Sequence, residues 1–500
     1  MQTRTCFLLL GLSLLAGCPG DGPGRSTPAD IGVINDLPDA GGIQDLPDAG
    51  GIDDLLDAGV IQDLKVRSQD LSNVPQVNLS TYGAVGDGVK DDTAAIQKAF
   101  DSEASIISDP KKTYLISSTL HLDQNLTQVI DFGGSKLIRK SAFSYMLTVD
   151  KRKHWSTNTT ITNLDIDGNS LSGSLVRLFS RVHFSNMNLY DAIQTAVSGN
   201  GPSITGINIS IYDAPGVSGQ WVFDNVNLDF ISSLTSNGKT GTDSLGEAHA
   251  FVAIWQEKVA AGIELLYKNS SITNTYGDDG NLITLNSKPT AGDISFTNNS
   301  LWFQNLHLAD FQRRAAKVFI GNTTWINCDF YSASRTNPNI VASYAPAGLM
   351  TIGSGSSAVN GENHLVCGCT FNGSSSAPLD SWYPKVVTSG DPGRGGVEFR
   401  HCEFNGDNPK AAFASSWNGL AISGKMGDYK VCGCKFTAAA TPARGNMLRS
   451  YGSATLTGSK MKVDTNNTYA SGQSIGLGLL KSSLYDLVDL SKDCAVCPTK

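Results

Sequence analysis

The stretch Ile161-Thr-Asn163-Leu-Asp-Ile166 contains a pattern, apolar–x–Asn–x–x–apolar, that returns throughout the middle of this chain. Nine copies lie between residues 161 and 436, and we call the third position of each copy the slot. The slot residues are Asn163, Asn186, Asn225, Asn269, Asn298, Asn327, Gly368, His401 and Gly433, and Gly458 fits a tenth copy. Repetition at a loose interval of 23 to 44 residues indicates a solenoid, in which each coil packs only against its neighbours.

The residues around the slot indicate what kind of coil repeats. Apolar and polar residues alternate in short runs rich in Val, Ile, Phe, Thr and Asn, which is typical of strands. Asn tolerates left-handed backbone geometry, so the slot predicts a bend between two strands, and stacked Asn amides can hydrogen-bond from coil to coil. We therefore expect an all-β fold, a single-stranded parallel β-helix. The alternative, an antiparallel sandwich, would not explain one recurring Asn position.

The first 18 residues are typical of a bacterial lipoprotein signal. Arg4 precedes a short apolar run over residues 7–15, which is too short to span a membrane. The sequence Leu15-Ala-Gly-Cys18 resembles a lipobox, which predicts that Cys18 is the lipidated first residue of the mature protein. A plain secretion signal with an incidental Cys is the alternative. We expect an exported lipoprotein, anchored in the membrane at the periplasm or the cell surface.

Residues 19–76 form an acidic spacer with a nine-residue repeat that begins Asp36-Leu-Pro-Asp-Ala-Gly-Gly-Ile-Gln44. The segment holds 11 Asp against three Lys or Arg, a net charge of −8 that equals the charge of the whole chain. This composition predicts a disordered, extended tether. Residues 77–500 are nearly neutral, so the acidity carries no information about the partner of the folded domain.

Eight cysteines follow the spacer, an even number that permits disulfides in an exported protein. Four of them share one position of the repeat and are expected to stack along the core: Cys328, Cys369, Cys402 and Cys434. Cys367 and Cys432 share another position, two residues earlier. With no His at ligand spacing, packing or disulfides are favoured over a metal site, and Cys494-x-x-Cys497 could pin the C-terminal end of the solenoid.

Directly after the spacer, residues 77–500 open with a Gly-rich turn and an amphipathic helix. Asp91 or Asp92 is the expected helix cap, and the buried stripe consists of Ala95, Ile96, Ala99 and Phe100. The run from Tyr82 to Gln97 resembles the opening of the rhamnogalacturonase/epimerase-type module of the pectate lyase superfamily. That resemblance implies a right-handed parallel β-helix whose open N-terminal end is closed by this helix.

A β-helix of that superfamily implies activity on a polysaccharide, by hydrolysis with two carboxyl groups or by a lyase reaction. The run Tyr276-Gly-Asp278-Asp279-Gly resembles the Gly-Asp-Asp turn of polygalacturonase-type hydrolases. With Asn298 as the slot of the next coil, His307 is expected to stack near Asp278. We take Asp278, Asp279 and His307 as candidate catalytic residues.

Arg313 and Arg314 follow soon after and are candidates for gripping an acidic sugar. The further catalytic Asp that those hydrolases carry on the preceding coil has no clear counterpart here, where Glu247, His249 and Glu257 are the candidates. A hydrolase needs no cofactor, whereas a lyase would use calcium. The sequence therefore favours a surface-tethered enzyme acting on a polysaccharide, a hydrolase ahead of a lyase, with a non-catalytic glycan-binding or adhesive β-helix as the alternative. Gly-Asp patterns without a βαβ context do not support nucleotide binding, and no nucleic acid partner is expected.

Overall fold

The computed structural model of the chain describes residues 75–102, 104–122, 128–150, 159–193, 204–211, 219–232, 247–255, 263–276, 278–286, 300–311, 314–318, 322–332, 350–352, 363–373, 386–388, 396–406, 418–426, 428–438, 446–456, 460–469, 485–494 and 496–499, with the backbone alone for part of these. The signal with Cys18, residues 19–74 of the spacer, Glu257, Asn298, Arg313 and Gly458 lie outside the described residues.

The described chain is built almost entirely of strands. Its helices are a 3₁₀ helix over Leu79–Tyr82 and α1 over Thr93–Phe100. The strands are β1 Gln76–Asn78, β2 Asp87–Asp91, β3 Ser105–Ile107, β4 Thr113–Ile116, β5 Leu120–Leu122, β6 Gln128–Arg139, β7 Tyr145–Val149, β8 Thr159–Asp167, β9 Ser174–Leu178, β10 Val182–Ile193, β11 Ile204–Ile211, β12 Gly219–Ser232, β13 Glu247–Trp255, β14 Ile263–Tyr276, β15 Asp278–Asn286 and β16 Ser300–Ala309. They continue as β17 Ala316–Val318, β18 Asn322–Ile326, β19 Asp329–Ser332, β20 Met350–Ile352, β21 His364–Cys367, β22 Thr370–Gly373, β23 Val386–Thr388, β24 Val397–Arg400, β25 Glu403–Gly406, β26 Asn418–Met426, β27 Tyr429–Cys432, β28 Lys435–Ala438, β29 Asn446–Leu456, β30 Met461–Asp464, β31 Thr468–Tyr469 and β32 Tyr485–Val488.

The strands wind into a right-handed parallel β-helix, as predicted. Every described strand pairing is parallel, and the partners are strands of successive coils, such as β10 with β12 and β12 with β14. One long sheet contains the strands on both sides of the slot, and a second sheet, which we call the side sheet, contains β5, β7, β9, β11, β13, β15, β17, β20, β23, β26 and β29. Each coil thus runs through a strand before the slot, a strand after it and a side-sheet strand.

The slot is the bend that the sequence predicts. Asn163, Asn186 and Asn225 have φ angles of 57°, 53° and 55°, in the left-handed region where Asn and Gly are favoured. Their amides link successive coils: Asn186 Nδ2 donates to Asn163 Oδ1 at 3.2 Å, and Asn225 Nδ2 donates to Asn186 Oδ1 at 2.9 Å. The predicted Asn ladder is therefore confirmed for these coils.

One slot was assigned to the wrong residue. The left-handed residue of the coil after Asn269 is Asn305, with φ 52°, and its Nδ2 donates to Asn269 Oδ1 at 2.9 Å. The prediction of Asn298 is therefore wrong. The tenth copy fails as well, because Met461 continues the column of Tyr429, four residues before the slot Gly433. The first error arises because the six-residue pattern occurs twice within residues 296–308.

The inside of the solenoid is a set of side-chain columns, one rung per coil. One column stacks five aromatic rings, Phe330, Phe371, Phe404, Phe436 and Tyr469, with centroid separations of 4.7, 5.0, 4.8 and 5.4 Å. The predicted cysteine column is also present, since Cys328, Cys369, Cys402 and Cys434 are free and buried. Burial raises the pKa of the Cys328, Cys369 and Cys402 thiols, so these cysteines act as packing residues and not as nucleophiles.

Helix α1 closes the N-terminal end of the core. Ile96, Ala99 and Phe100 are buried in the core, and Ala95 packs against it. Asp92 precedes the helix but does not cap it with its side chain. Its buried carboxylate accepts hydrogen bonds from the backbone N–H of Val85 and Gly86, at 2.8 and 3.0 Å. The conspicuous aspartates of this region thus serve the local turn.

A segment over residues 490–497, which we call the clasp, is bound to three late coils. Disulfides join Cys367 to Cys497 and Cys432 to Cys494, so the expected C-terminal pin is confirmed. In register, Cys367, Arg400 and Cys432 stand on consecutive rungs, about 10 Å from first to last. The clasp therefore joins two rungs on either side of the rung of Arg400, which is 1% exposed with its ion-pair partner Glu398.

No helix among the described residues is long and apolar enough to cross a membrane.

Candidate functional site

The candidate site lies where the strands after the slot end and the strands of the side sheet begin. Asp278 starts β15 two residues after Tyr276, the last residue of β14. On the preceding coil, Glu247 starts β13 and is the register partner of Asp278, and Ala248 is the partner of Asp279. Adjacent strands lie about 4.8 Å apart. The backbone therefore brings the predicted Asp pair and Glu247 onto neighbouring rungs.

The next coil brings Arg314 to the same place. Leu282 of β15 pairs with Ala316 of β17, so Arg314 stands beside Gly280, just past the Asp pair. The Arg314 side chain is partly buried, and His249, the register partner of Gly280 on the other side, is 3% exposed. A cation and an imidazole therefore stand on either side of Gly280, the residue that follows the Asp pair. Arg313 lies outside the described residues.

His307 does not stack on Asp278. Because Asn305 is the slot of that coil, His307 lies two residues after the bend and pairs in register with Ser271 and Asp329. Its Nδ1 lies 2.9 Å from Asp329 Oδ2. The hydrogen bond that His307 donates to Asp329, helped by the negative charges of Asp329 and Asp310, raises the pKa of His307 against the opposing effect of burial. The predicted stacking is therefore wrong.

A carboxyl group that the sequence analysis missed, Asp310, lies three residues after His307, on the coil that follows the Asp pair. Asp310 has a φ of 51° and occupies a second bend, five residues after the slot. Its carbonyl oxygen accepts a hydrogen bond from the backbone N–H of Thr275 at 3.0 Å. Asp310 therefore lies beside the end of β14, the strand that precedes Asp278. Burial, with a smaller contribution from the charge of Asp229, raises the pKa of Asp310, and His307 opposes that rise.

A second carboxylate, Asp229, stands directly before the second bend of an earlier coil. Its Oδ1 accepts hydrogen bonds from Thr273 Oγ1 at 2.8 Å and from Asn274 Nδ2 at 2.7 Å. Asn274 itself has a φ of 53° and accepts from the Tyr276 hydroxyl at 2.8 Å. Two donors thus hold the Asp229 carboxylate in place, whereas Asp310 is partly buried and its pKa is raised.

We call this place the acidic corner and define it by Asp229, Glu247, Asp278, Asp279 and Asp310. The second bend could have been found from the sequence, because Asp191, Phe230, Asn274 and Asp310 each lie five residues after a true slot and have positive φ angles. Asp310 was missed because its slot was misassigned. Carboxyl groups in unlike environments, beside a cation and a histidine, suit proton transfer to and from a sugar.

Polar side chains extend from the corner along the strands after the slot. Asn188 Nδ2 donates to Asp165 Oδ1 at 2.7 Å, Asn227 Nδ2 donates to Asn188 Oδ1 at 3.1 Å, and Ser271 Oγ donates to Asn227 Oδ1 at 2.9 Å. These groups face outward, since their neighbours Leu164, Leu189 and Leu228 are buried. The result is a hydrogen-bonding surface that runs along the solenoid.

Comparison with known proteins gives one family and a set of similar folds. The family model described as rhamnogalacturonase A/epimerase, pectate lyase-like matches residues 76–335. No curated protein sequence matches the chain.

Solved structures resemble this chain in fold. PfbA, a surface adhesin of Streptococcus pneumoniae, is 12% identical with a TM-score of 0.45, covering 79% of this chain and 93% of that one. The A-module of a mannuronan C-5 epimerase from Azotobacter vinelandii is 13% identical with a TM-score of 0.38, covering 77% and 100%. Tailspike protein 3 of bacteriophage CBA120 is 12% identical with a TM-score of 0.39, covering 83% and 61%.

Proposed function

Since this chain belongs to the rhamnogalacturonase A/epimerase, pectate lyase-like family, we propose that it cleaves a polysaccharide by hydrolysis at the acidic corner. The observation that carries the proposal is the register of Glu247 with Asp278 on neighbouring rungs, beside an Asp310 whose pKa is raised. Asp310 serves as the general acid, and Asp278 or Asp279 activates water or attacks the sugar. Glycosidases need such a pair of carboxyl groups, one protonated and one ionised.

The test is a screen of purified protein against acidic and neutral polysaccharides for release of reducing sugar. We expect Asp279→Asn, Asp278→Asn and Asp310→Asn each to lower the rate by about 10²-fold or more, because each removes a proton-transfer group or a nucleophile. Binding of the same polysaccharide in an affinity gel should survive. The matched control is Glu403→Gln, a surface carboxylate on a later coil paired with Lys435. Full activity of all three variants would refute the acidic corner as the catalytic site.

The pH profile tests the role of Asp310 separately. A general acid must be protonated, so activity should fall as the pH rises through the pKa of Asp310. The positive charge of His307 lowers that pKa. His307→Asn should therefore move the alkaline limb of the profile to higher pH, and an unmoved or acid-shifted limb would exclude Asp310 as the acid.

A lyase reaction is the nearest alternative within the same site. It would form an unsaturated product with new ultraviolet absorbance, and a chelator would abolish it if calcium is the cofactor. Hydrolysis predicts reducing sugar without that absorbance and activity that persists after chelation. Each outcome selects one reaction.

A non-catalytic glycan-binding or adhesive role is the second candidate, and one observation favours it. The polar side chains after the slot are linked from coil to coil, from Asp165 to Ser271, so they form a preorganised hydrogen-bonding strip. If no polysaccharide in the screen is cut but one is retained in the affinity gel, this role replaces the enzymatic one.

We also propose that the domain is tethered through a lipid on Cys18, with residues 19–76 as the spacer. The lipobox-like sequence and the acidic, Pro- and Gly-containing composition support it. Mass spectrometry of the mature N-terminus should find a lipidated Cys18, and Cys18→Ser should release the protein from the membrane fraction. A mature chain that begins elsewhere would refute the anchor.

A further inference from the structure

Two arginines lie on the outer surface of one coil, away from the acidic corner. In β9 the neighbours Val176 and Leu178 are buried in the core, so Arg177 between them faces outward. The chain then turns, and Arg181 stands directly before β10. Both arginine side chains are partly exposed.

Neither arginine has a hydrogen-bonding or ionic partner among the described residues, unlike two arginines with structural roles. Arg139 is buried and donates to three backbone carbonyls. Arg400 is buried and paired with Glu398. The Nε atoms of Arg177 and Arg181 are buried without a hydrogen bond, while each side chain as a whole is partly exposed. Burial without a carboxylate to offset it lowers the pKa of Arg181.

Aromatic rings hold Arg177 in place. Its guanidinium lies 4.3 Å from the ring centroid of Phe179 and 5.5 Å from that of Tyr145. These rings restrain the guanidinium, a group that can bind a planar, bidentate partner through two parallel N–H groups. A partly desolvated cation with oriented donors and no anion of its own is arranged to receive one from outside.

We propose that Arg177 and Arg181 form a binding site for an anionic group, a carboxylate or a sulfate ester, on a polysaccharide chain. The inference rests on the proposed function and names its substrate class as anionic. Arg177 belongs to the side sheet, three rungs before Ile283 of β15, a distance of about 14 Å along the axis. The site therefore binds a part of the polysaccharide chain distant from the bond that is cleaved.

The test is affinity electrophoresis of the full chain against polygalacturonate, dextran sulfate and neutral galactan. Wild-type protein should be retarded by one or both charged polymers, and retardation should weaken with salt. Arg177→Gln with Arg181→Gln should weaken binding of the charged polymer at least about tenfold, the loss expected for charge-assisted hydrogen bonds. Equal retardation by galactan, or unchanged binding by the double variant, would overturn the proposal.

Two further variants distinguish loss of the binding site from loss of the fold. Arg177→Lys keeps the charge but lacks the planar fork, so it should bind with intermediate affinity and unfold at the wild-type urea concentration. Lys435→Gln removes an exposed cation that is paired with Glu403 on a later coil, and it should bind like wild type. Binding lost equally in the lysine and glutamine variants, or also in Lys435→Gln, would contradict a specific site.

The proposed hydrolysis and the proposed anion-binding site can be refuted independently of each other. If anionic binding depends on the arginine pair but nothing is cleaved, the anion site stands and the hydrolase falls. If only a neutral polysaccharide is cleaved, and the Asp278 and Asp279 variants abolish that cleavage, the hydrolase stands and the anion site falls.

Discussion

A single Asn in each coil sets the bend on which the fold depends. The slot requires a left-handed backbone, which costs most residues roughly 1–2 kcal/mol, and Asn or Gly much less. Asn also offers an amide to the coils above and below, as Asn225 does to Asn186. Where the slot is Gly368, an added Cβ would come 2.5 Å from Asn327 Oδ1, so the choice between Asn and Gly depends on the neighbouring coil.

At Asn225 these two contributions can be separated by substitution. Asn225→Gly keeps the backbone freedom and loses the hydrogen bond, so we expect a loss of about 0.5–1.5 kcal/mol in the free energy of unfolding. Asn225→Ala loses both, and the expected loss is about 2–3 kcal/mol. Urea denaturation measures both. Equal losses would show that backbone strain does not govern the slot.

His307 gives a pH-dependent test at the same scale. Its pKa is raised by Asp329, so the pair contributes stability fully below the usual value of about 6.5 and loses that contribution as the pH rises through the folded pKa. The pair is exposed, so the contribution is small. Asp329→Asn should lower the pKa of His307 in an NMR titration, whereas Asp165→Asn should leave it unchanged. A raised or unmoved value in Asp329→Asn would contradict the pairing.

At the scale of the strand, the sequence predicts the type of element well and its register less well. Alternation and the Asn pattern indicate parallel strands with a bend, because both follow from local chemistry. Two neighbouring candidates, Asn298 and Asn305, satisfy that pattern. Only stacking selects between them, because Phe303 packs against Trp325 with ring centroids 4.1 Å apart. The candidate site inherited this error, so Asp278 and Asp279 were found while Asp310 was not. The sequence likewise does not reveal that Arg177 lacks an ionic partner in the described part of the chain, because its neighbours depend on how the coils stack.

The aromatic column makes a prediction about neighbouring strands. Phe404 lies in β25 between Phe371 and Phe436, with centroid distances of 5.0 and 4.8 Å. Phe404→Ala should cost about 3–5 kcal/mol in the free energy of unfolding, because it leaves a cavity between two rings. Phe404→Leu should cost clearly less. A cost below about 1 kcal/mol for the alanine variant would show that the column is not packed as described.

At the scale of the whole molecule, a solenoid must protect its two ends. Each coil is stabilised by its neighbours, so the first and last coils lack one neighbour. Helix α1 covers the N-terminal end with Ile96, Ala99 and Phe100. The clasp holds the late coils instead through disulfides to Cys367 and Cys432.

Cutting the clasp should destabilise the late coils. We expect Cys497→Ala to lower the free energy of unfolding by about 2–5 kcal/mol, because the disulfide closes a long loop of the unfolded chain. Cys328→Ala, which removes a buried thiol but no disulfide, is the matched control and should cost less. Addition of a thiol reductant should abolish the advantage of wild type over Cys497→Ala. An advantage that persists under reduction would mean that the disulfide does not stabilise the fold.

The disulfides of the clasp also determine the order in which the coils must fold and the cysteines be oxidised. Cys367 and Cys432 find their partners 130 and 62 residues later in the chain, so neither bond can close until those residues have been synthesised. Oxidation during that interval would find Cys328, Cys369, Cys402 and Cys434 as rival thiols unless they were already enclosed. Correct pairing therefore requires that the coils wind before they are oxidised, and a chain halted before Cys494 would retain two unpaired thiols that mark it as incomplete.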